Sequence, residues 1–231
     1  MRMIEKWKRE LLCGGEGILT QLGVLAAAGV VGMALALFLC LANHFDEYFT
    51  AGPILQIVIV SFCALLGYQD MVCRFNRAVS FQESRRGFLA AYLPVEYALL
   101  AAQLILINVW SFLEQAVESR LIGGTPAFPP FRIGFPEILL WPALLLGAEL
   151  FFGALVMRFG KYTRNVLAGL FFVLIVFAPQ YMELQTPGGE TVAALLLGFL
   201  GSPWGLLAAA AAGAVLGTAG AALLLRQRVT G

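Results

Sequence analysis

The sequence predicts an all-α polytopic membrane protein. It has six transmembrane helices, an amphipathic N-terminal interfacial helix, and a short re-entrant outer helix before the last span. Three observations lead there. Hydrophobic residues make up 60% of the 231 and charged residues only 13%, against roughly 45–50% and about 25% in soluble domains. The mean hydropathy is +0.84. Apolar runs of about 20 residues, enough to cross a core about 30 Å thick as helix, recur along the whole chain. The same figures exclude a disordered chain, and a net charge of +1 excludes a nucleic-acid partner. Four cysteines do not make a disulfide framework at this length.

Residues 1–17 place Ile4, Trp7, Leu11 and Leu12 on one helical face, with Glu5, Lys6, Lys8, Arg9 and Glu10 elsewhere. That pattern predicts a helix lying on the inner leaflet, ended by Gly14-Gly15. No signal-peptide cleavage pattern fits, because the first apolar run is long and begins late. Span 1 is Ile18–Ala42, 25 residues without a charge. Span 2 starts at Pro53, a favoured first helical position, and runs through Leu66 toward Asp70. Span 3 is Pro94–Leu113, again with proline first, and span 4 is Phe135–Met157. Span 5 is Asn165–Met182, and span 6 is Pro203–Leu225 with Ser202 as N-cap. Pro142 and Pro179 predict kinks in spans 4 and 5. Thr191–Leu200 is apolar, but ten helical residues cover only about 15 Å. It reads as the re-entrant outer helix; the other reading is one long helix kinked at Pro203.

Orientation follows from the basic residues, which stay on the cytoplasmic side. Of the 15 Lys and Arg, all but Arg120 and Arg132 fall on one side of this arrangement. Both termini are therefore expected in the cytoplasm, which requires an even number of spans.

The longest cytoplasmic connection is Gln69–Gly87. Val72, Phe75 and Val79 recur there at helical spacing with Arg74, Asn76 and Arg77 between them, and Ser80 with Glu83 forms a possible capping box. Such a basic, half-apolar elbow fits either a docking surface or an interfacial helix that snorkels its arginines. The run Phe75–Ile105 resembles the cytoplasmic loop and third span of type-2 ATP-binding-cassette permeases. Ser84-Arg85-Arg86, Phe88 and Leu93-Pro94 carry the likeness, and the whole plan, from amphipathic start to Ser202-Pro203, is similar. The lack of a large outer domain resembles the small bacterial members. The resemblance implies a permease paired with a second, identical or related protomer and driven by a separate ATPase that binds the ATP and Mg. By that match Arg74, Phe75, Arg77, Phe81, Glu83 and Arg85 would lie at the ATPase contact. Cargo in this family moves outward and comprises peptides, antibiotics, lipids or polysaccharides.

The residues themselves offer no catalytic constellation. No phosphate-binding Gly-x-x-x-x-Gly-Lys motif is present; Gly14-Gly15-Glu16-Gly17 lacks the lysine and reads as a hinge. His44, the single histidine, beside Asp46 and Glu47 is a poor metal-ligand set. Cys13, Cys40, Cys63 and Cys73 read as small buried apolar residues. No cofactor is expected in this chain.

Polar groups inside the spans are the remaining signals. Glu149 lies near the middle of span 4, where a charge costs about 3 kcal/mol, offset by the span's many Leu and Phe residues. It serves either substrate or proton handling or a hydrogen bond to a neighbouring helix. Glu96 and Gln103 share a face of span 3, and Glu96 near the inner end could instead cap its own helix. Gln56 on span 2 is another inward-facing candidate. Ala209, Gly213 and Gly217 form a small-residue face for close helix contact, within the chain or across a dimer. These readings converge on an exporter's permease subunit in the bacterial plasma membrane. The rivals are a substrate-binding subunit of an uptake system or small secondary transporter, and a non-transporting membrane scaffold or enzyme.

Overall fold

The structure is a computed structural model that describes residues 15–42, 47–48, 50–81, 84–122, 125–126, 131–160, 162–163, 165–170, 173, 177, 191, 195, 198–199 and 202–226. Its bounded helices are α1 (Gly15–Ala42), α2 (Gly52–Leu66), α3 (Tyr68–Ser80), α4 (Arg85–Ile122), α5 (Phe135–Phe159) and α6 (Pro203–Arg226). Residues 165–170 are helical as well. Strands β1 (Glu47–Tyr48) and β2 (Thr125–Pro126) pair in parallel, Glu47 opposite Thr125 and Tyr48 opposite Pro126.

Five segments among the described residues are long and apolar enough to cross a bilayer: Ile18–Ala42, Gly52–Ser80, Arg85–Ile122, Phe135–Phe159 and Pro203–Arg226. They correspond to predicted spans 1, 2, 3, 4 and 6. Large apolar side chains stand exposed along them, among them Val31, Phe38, Val58, Phe112 and Val215. That is the inverse of a water-facing surface and fits a multi-pass membrane protein. The interfacial helix, most of span 5 with Pro179, and most of the outer helix lie outside the described residues.

Several boundaries differ from expectation for physical reasons. Gly15-Glu16-Gly17 belongs to helix α1 rather than to a hinge, and Gly14 lies outside the described residues. Helix α4 starts at Arg85, not Pro94, and runs 38 residues with Pro94 inside it. Membrane helices tolerate the lost donor of an interior proline, and Arg85–Leu93 consists mostly of good helix formers. At about 1.5 Å per residue, α4 is about 57 Å long and overruns a core about 30 Å thick. Ser80 ends α3 and gives its hydroxyl proton to the Arg77 carbonyl at 2.7 Å rather than starting another helix; Glu83 lies outside the described residues. Ser202 caps α6 as predicted, its Oγ accepting from Gly205 N–H at 3.1 Å. Cys40 is buried, but Cys63 and Cys73 are exposed. Cys63 sits beside Phe62 on an outward face of α2, and Cys73 lies opposite the buried face of α3.

The chain forms two compact units, residues 1–66 with 87–142 and residues 67–86 with 143–231. In the first, α1 buries Leu25, Ala28, Gly29, Gly32, Ala36 and Cys40, a stripe at helical spacing. Its small residues let α2 approach closely: a Cβ at Gly32 would lie 2.5 Å from the Gly52 Cα. Two side chains of α4 hold the segment that leads into α5. Asn108 Nδ2 donates to the Ile133 carbonyl and Asn108 Oδ1 accepts from Ile133 N–H, both at 2.8 Å. Ser111 Oγ donates to the Phe131 carbonyl at 2.8 Å, and the Arg132 guanidinium covers the Phe112 ring at 5.3 Å. Asn108 thus imitates a neighbouring strand. Asn108→Leu removes both of its bonds, worth about 1 kcal/mol each, and is expected to speed hydrogen exchange at Ile133 N–H by one to two orders of magnitude. Unchanged exchange there would show that the clasp carries no local stability.

In the second unit, α6 lies against α5 through glycine. A Cβ at Gly147 would run into the Gly213 carbonyl, and one at Gly213 into the Ala143 carbonyl. A Cβ at Gly220 would stand 2.7 Å from the Leu150 carbonyl carbon. The small-residue face of Ala209 and Gly213 is therefore an intrachain contact, and both residues are buried. Helix α3 buries Tyr68, Met71 and Phe75, with the Met71 methyl seated where Gly153 leaves room. Arg85 donates to the Leu225 carbonyl at 3.1 Å, satisfying one of the orphan carbonyls of the last turn of α6.

Candidate functional site

Helix α4 carries a polar stripe on its buried face: Glu96, Gln103, Ser111, Glu114 and Glu118. Spacings of three, four, seven and eight residues keep these side chains on one side of the helix. Glu96 is buried and not unpaired. Because α4 begins at Arg85, about three turns earlier, Glu96 cannot cap its own helix. Gln103 donates from Nε2 to Gln21 Oε1 on α1 at 3.0 Å. From α2, the buried Gln56 donates to the Leu25 carbonyl of α1 at 3.0 Å. Interhelical bonds of this kind contribute about 0.6–2 kcal/mol each in a membrane.

The densest polar region lies where the far end of α4 meets the start of α2. Glu114 Oε1 accepts from both Ala51 N–H and Gly52 N–H, each at 3.0 Å. One carboxylate thereby caps the N-terminus of a helix some sixty residues away in sequence, at the positive end of its dipole. The contact is close because Gly52 has no side chain: a Cβ there would collide with Glu114 Oε2 and lie 2.7 Å from Trp110 Nε1. Gly29 completes the setting, since a Cβ on it would meet Gln56 Nε2 and the Trp110 ring at 2.5 Å.

Glu118 follows one turn after Glu114. Both residues are 0% exposed. Glu114 Oε2 and both Glu118 oxygens are buried without a hydrogen-bond partner. Residues at this spacing have Cβ atoms about 5–6 Å apart, where like charges repel by about 3 kcal/mol at an effective dielectric of about 20. Glu114 has two N–H donors to hold its charge; Glu118 has none. Among the described residues no three His, Cys, Asp or Glu side chains gather to hold a metal ion. No family model, no curated protein and no solved structure matches this chain.

The remaining predicted residues are dispersed. Glu149 on α5 is buried and not unpaired. On α3, Phe75 is 1% exposed and serves as an anchor inside the second unit. Arg74 is bonded to Asp70 of its own helix at 2.7 Å, and Arg85 holds the end of α6. Arg77 is exposed, and so is Phe81 at 78%. Gly217 meets only ordinary contact, a Cβ there standing 3.5 Å from the Gly147 Cα. Glu114 and Glu118 are absent from the sequence-derived candidates, because a span ended at Leu113 leaves them in a loop. Their signal is the continued spacing from Gln103 through Ile107 and Ser111 in a stretch without Gly or Pro.

Proposed function

We propose that this chain is the membrane-spanning permease subunit of an ATP-binding-cassette exporter. It works in the bacterial plasma membrane with both termini cytoplasmic, beside a second permease protomer. A separate ATPase binds ATP and Mg and supplies the force, and the cargo is a peptide, antibiotic or lipid-like molecule. The observation that carries this reading is α3: a 13-residue amphipathic helix between two apolar helices, buried through Tyr68, Met71 and Phe75. Its opposite face presents Asn76, Arg77 and Ser80, and the turn after it presents Phe81. The basic-residue asymmetry supports a cytoplasmic position for that face. An exposed aromatic beside an arginine is the pairing enriched at the centres of protein interfaces. Because Phe75, Arg74 and Arg85 are engaged within the chain, the proposed contact narrows to Arg77 and Phe81, with exposed Arg86 nearby.

The test is co-purification of the full chain with the ATP-binding-cassette ATPases of its own cell. The double variant Arg77→Glu/Phe81→Ala is expected to lower ATPase recovery at least tenfold while extracting from membranes as wild type. Undiminished recovery would remove this contact, and an ATPase never recovered with the wild-type chain would remove the reading. The buried acids of α4 favour a second reading, an ion-coupled secondary transporter. That reading predicts transport by the chain alone in vesicles carrying an ion gradient and no ATP.

A further inference from the structure

We propose that Glu118 holds a small monovalent cation, a proton or sodium, at the acidic end of α4. The proposal goes beyond the permease reading and does not depend on it. Glu118 is fully buried, and neither of its carboxyl oxygens has a hydrogen-bond partner. The charged group that acts on it is Glu114, which has the same sign. Glu114 is matched by the N-terminus of α2, through Ala51 and Gly52 N–H. Those donors sit on Glu114 Oε1, and among the described residues no comparable donor reaches Glu118. A buried carboxylate is stable only with a donor or counter-charge, and among the described residues Glu118 has neither, which leaves room for a bound positive charge.

The chemistry of the acceptors selects the ion. Glu118 Oε1, Glu118 Oε2 and Glu114 Oε2 are hard oxygens without partners, which suit a proton or an alkali ion and not a soft metal. Among the described residues no third acid, histidine or cysteine joins these oxygens, whereas a divalent ion takes six or more oxygen ligands. The residues that follow, Ser119, Arg120 and Leu121, are exposed, which leaves the ion a short way in from the end of the helix. Ionisable residues held inside a membrane protein at the expense of stability mark ion and proton sites.

The test uses the full chain purified in detergent and dicyclohexylcarbodiimide, which modifies carboxyl groups in their acid form in apolar surroundings. Labelled peptides are read by mass spectrometry in choline chloride and in sodium chloride of equal strength, across a pH series. If the ion is a proton, Glu118 is modified equally in both salts and less as pH rises. If it is sodium, saturating sodium lowers the modification about tenfold by mass action relative to choline. Either result supports the site. No modification of Glu118 in either salt, with other carboxyls labelled, means that a fixed group of the chain neutralises it and overturns the proposal. Thermal unfolding supplies the second readout. The midpoint of the wild-type chain is expected to shift more with pH or sodium than that of Glu118→Gln. An identical response of the two chains also overturns the proposal.

Discussion

Gly213→Leu is expected to abolish the folded chain, whereas Gly217→Ala, one turn further along the same stripe, leaves it intact. The difference lies in what each new side chain would meet. At Gly213 even a first carbon collides with the Ala143 carbonyl oxygen and stands 2.6 Å from the Leu144 Cα. Both are backbone, and backbone in a helix cannot turn aside as a side chain does. The strain is forced on the α5–α6 contact at its closest point, with Gly147 facing Gly213 across it. Overpacking in a close-packed interior costs up to about 3 kcal/mol, and more where backbone must move, a large share of a total stability of about 5–15 kcal/mol. At Gly217 the nearest atom to a new Cβ is the Gly147 Cα at 3.5 Å, an ordinary contact. Replacing a helical glycine by alanine there stabilises by up to about 1 kcal/mol. The measurement is the fraction of chain recovered as a single species after detergent extraction, with its unfolding midpoint. Equal recovery of the two variants would show that α5 and α6 separate without loss and that the glycine face serves something else.

The same stripe shows how far sequence alone reaches. Ala209, Gly213 and Gly217 announce a close contact by their spacing, but the partner has its own small residues, Ala143 and Gly147, on another helix. Only the fold brings them together and makes the contact intrachain. The apolar runs were legible because the bilayer imposes a minimum apolar length on every span, and Ser202 because capping is local chemistry. Pro94 misled for the complementary reason. Proline suits a helix start because the N–H it lacks would have no partner there, but a membrane helix also tolerates it inside, and α4 passes through it. The acidic end of α4 was illegible by the hydropathy measure itself. Glu114 and Glu118 end an apolar run while continuing a helical one, so the criterion that found the span discarded the site.

Glu114→Ala is expected to cost about 3–5 kcal/mol, Glu114→Gln about half as much, and the damage in both should concentrate at the start of α2. Helix α2 begins Gly52-Pro53, and Pro53 has no N–H to satisfy. Its entry therefore leaves the N–H groups of Ala51, Gly52 and Ile54 without an intrahelical acceptor, and the first two go to Glu114 Oε1. Alanine strands both; a buried donor left without a partner costs about 1–3 kcal/mol. Glutamine retains an acceptor oxygen but gives up the charge, and charge-assisted bonds are roughly twice as strong as neutral ones. It also gives up the favourable position at the positive end of the α2 dipole. The order wild type, Gln, Ala should appear in thermal unfolding of the full chain in detergent. Hydrogen exchange localises it, with protection of the Ala51 and Gly52 amides falling in the same order. Glu118→Gln is the contrast: Glu118 bonds neither amide, so exchange at Gly52 should match wild type although the substitution lies one turn away. If Glu114→Ala unfolds with the wild-type midpoint and keeps its Gly52 protection, the carboxylate is not what secures α2. The two acids would then have to be read as one shared charge site rather than as a cap and its unpaired neighbour.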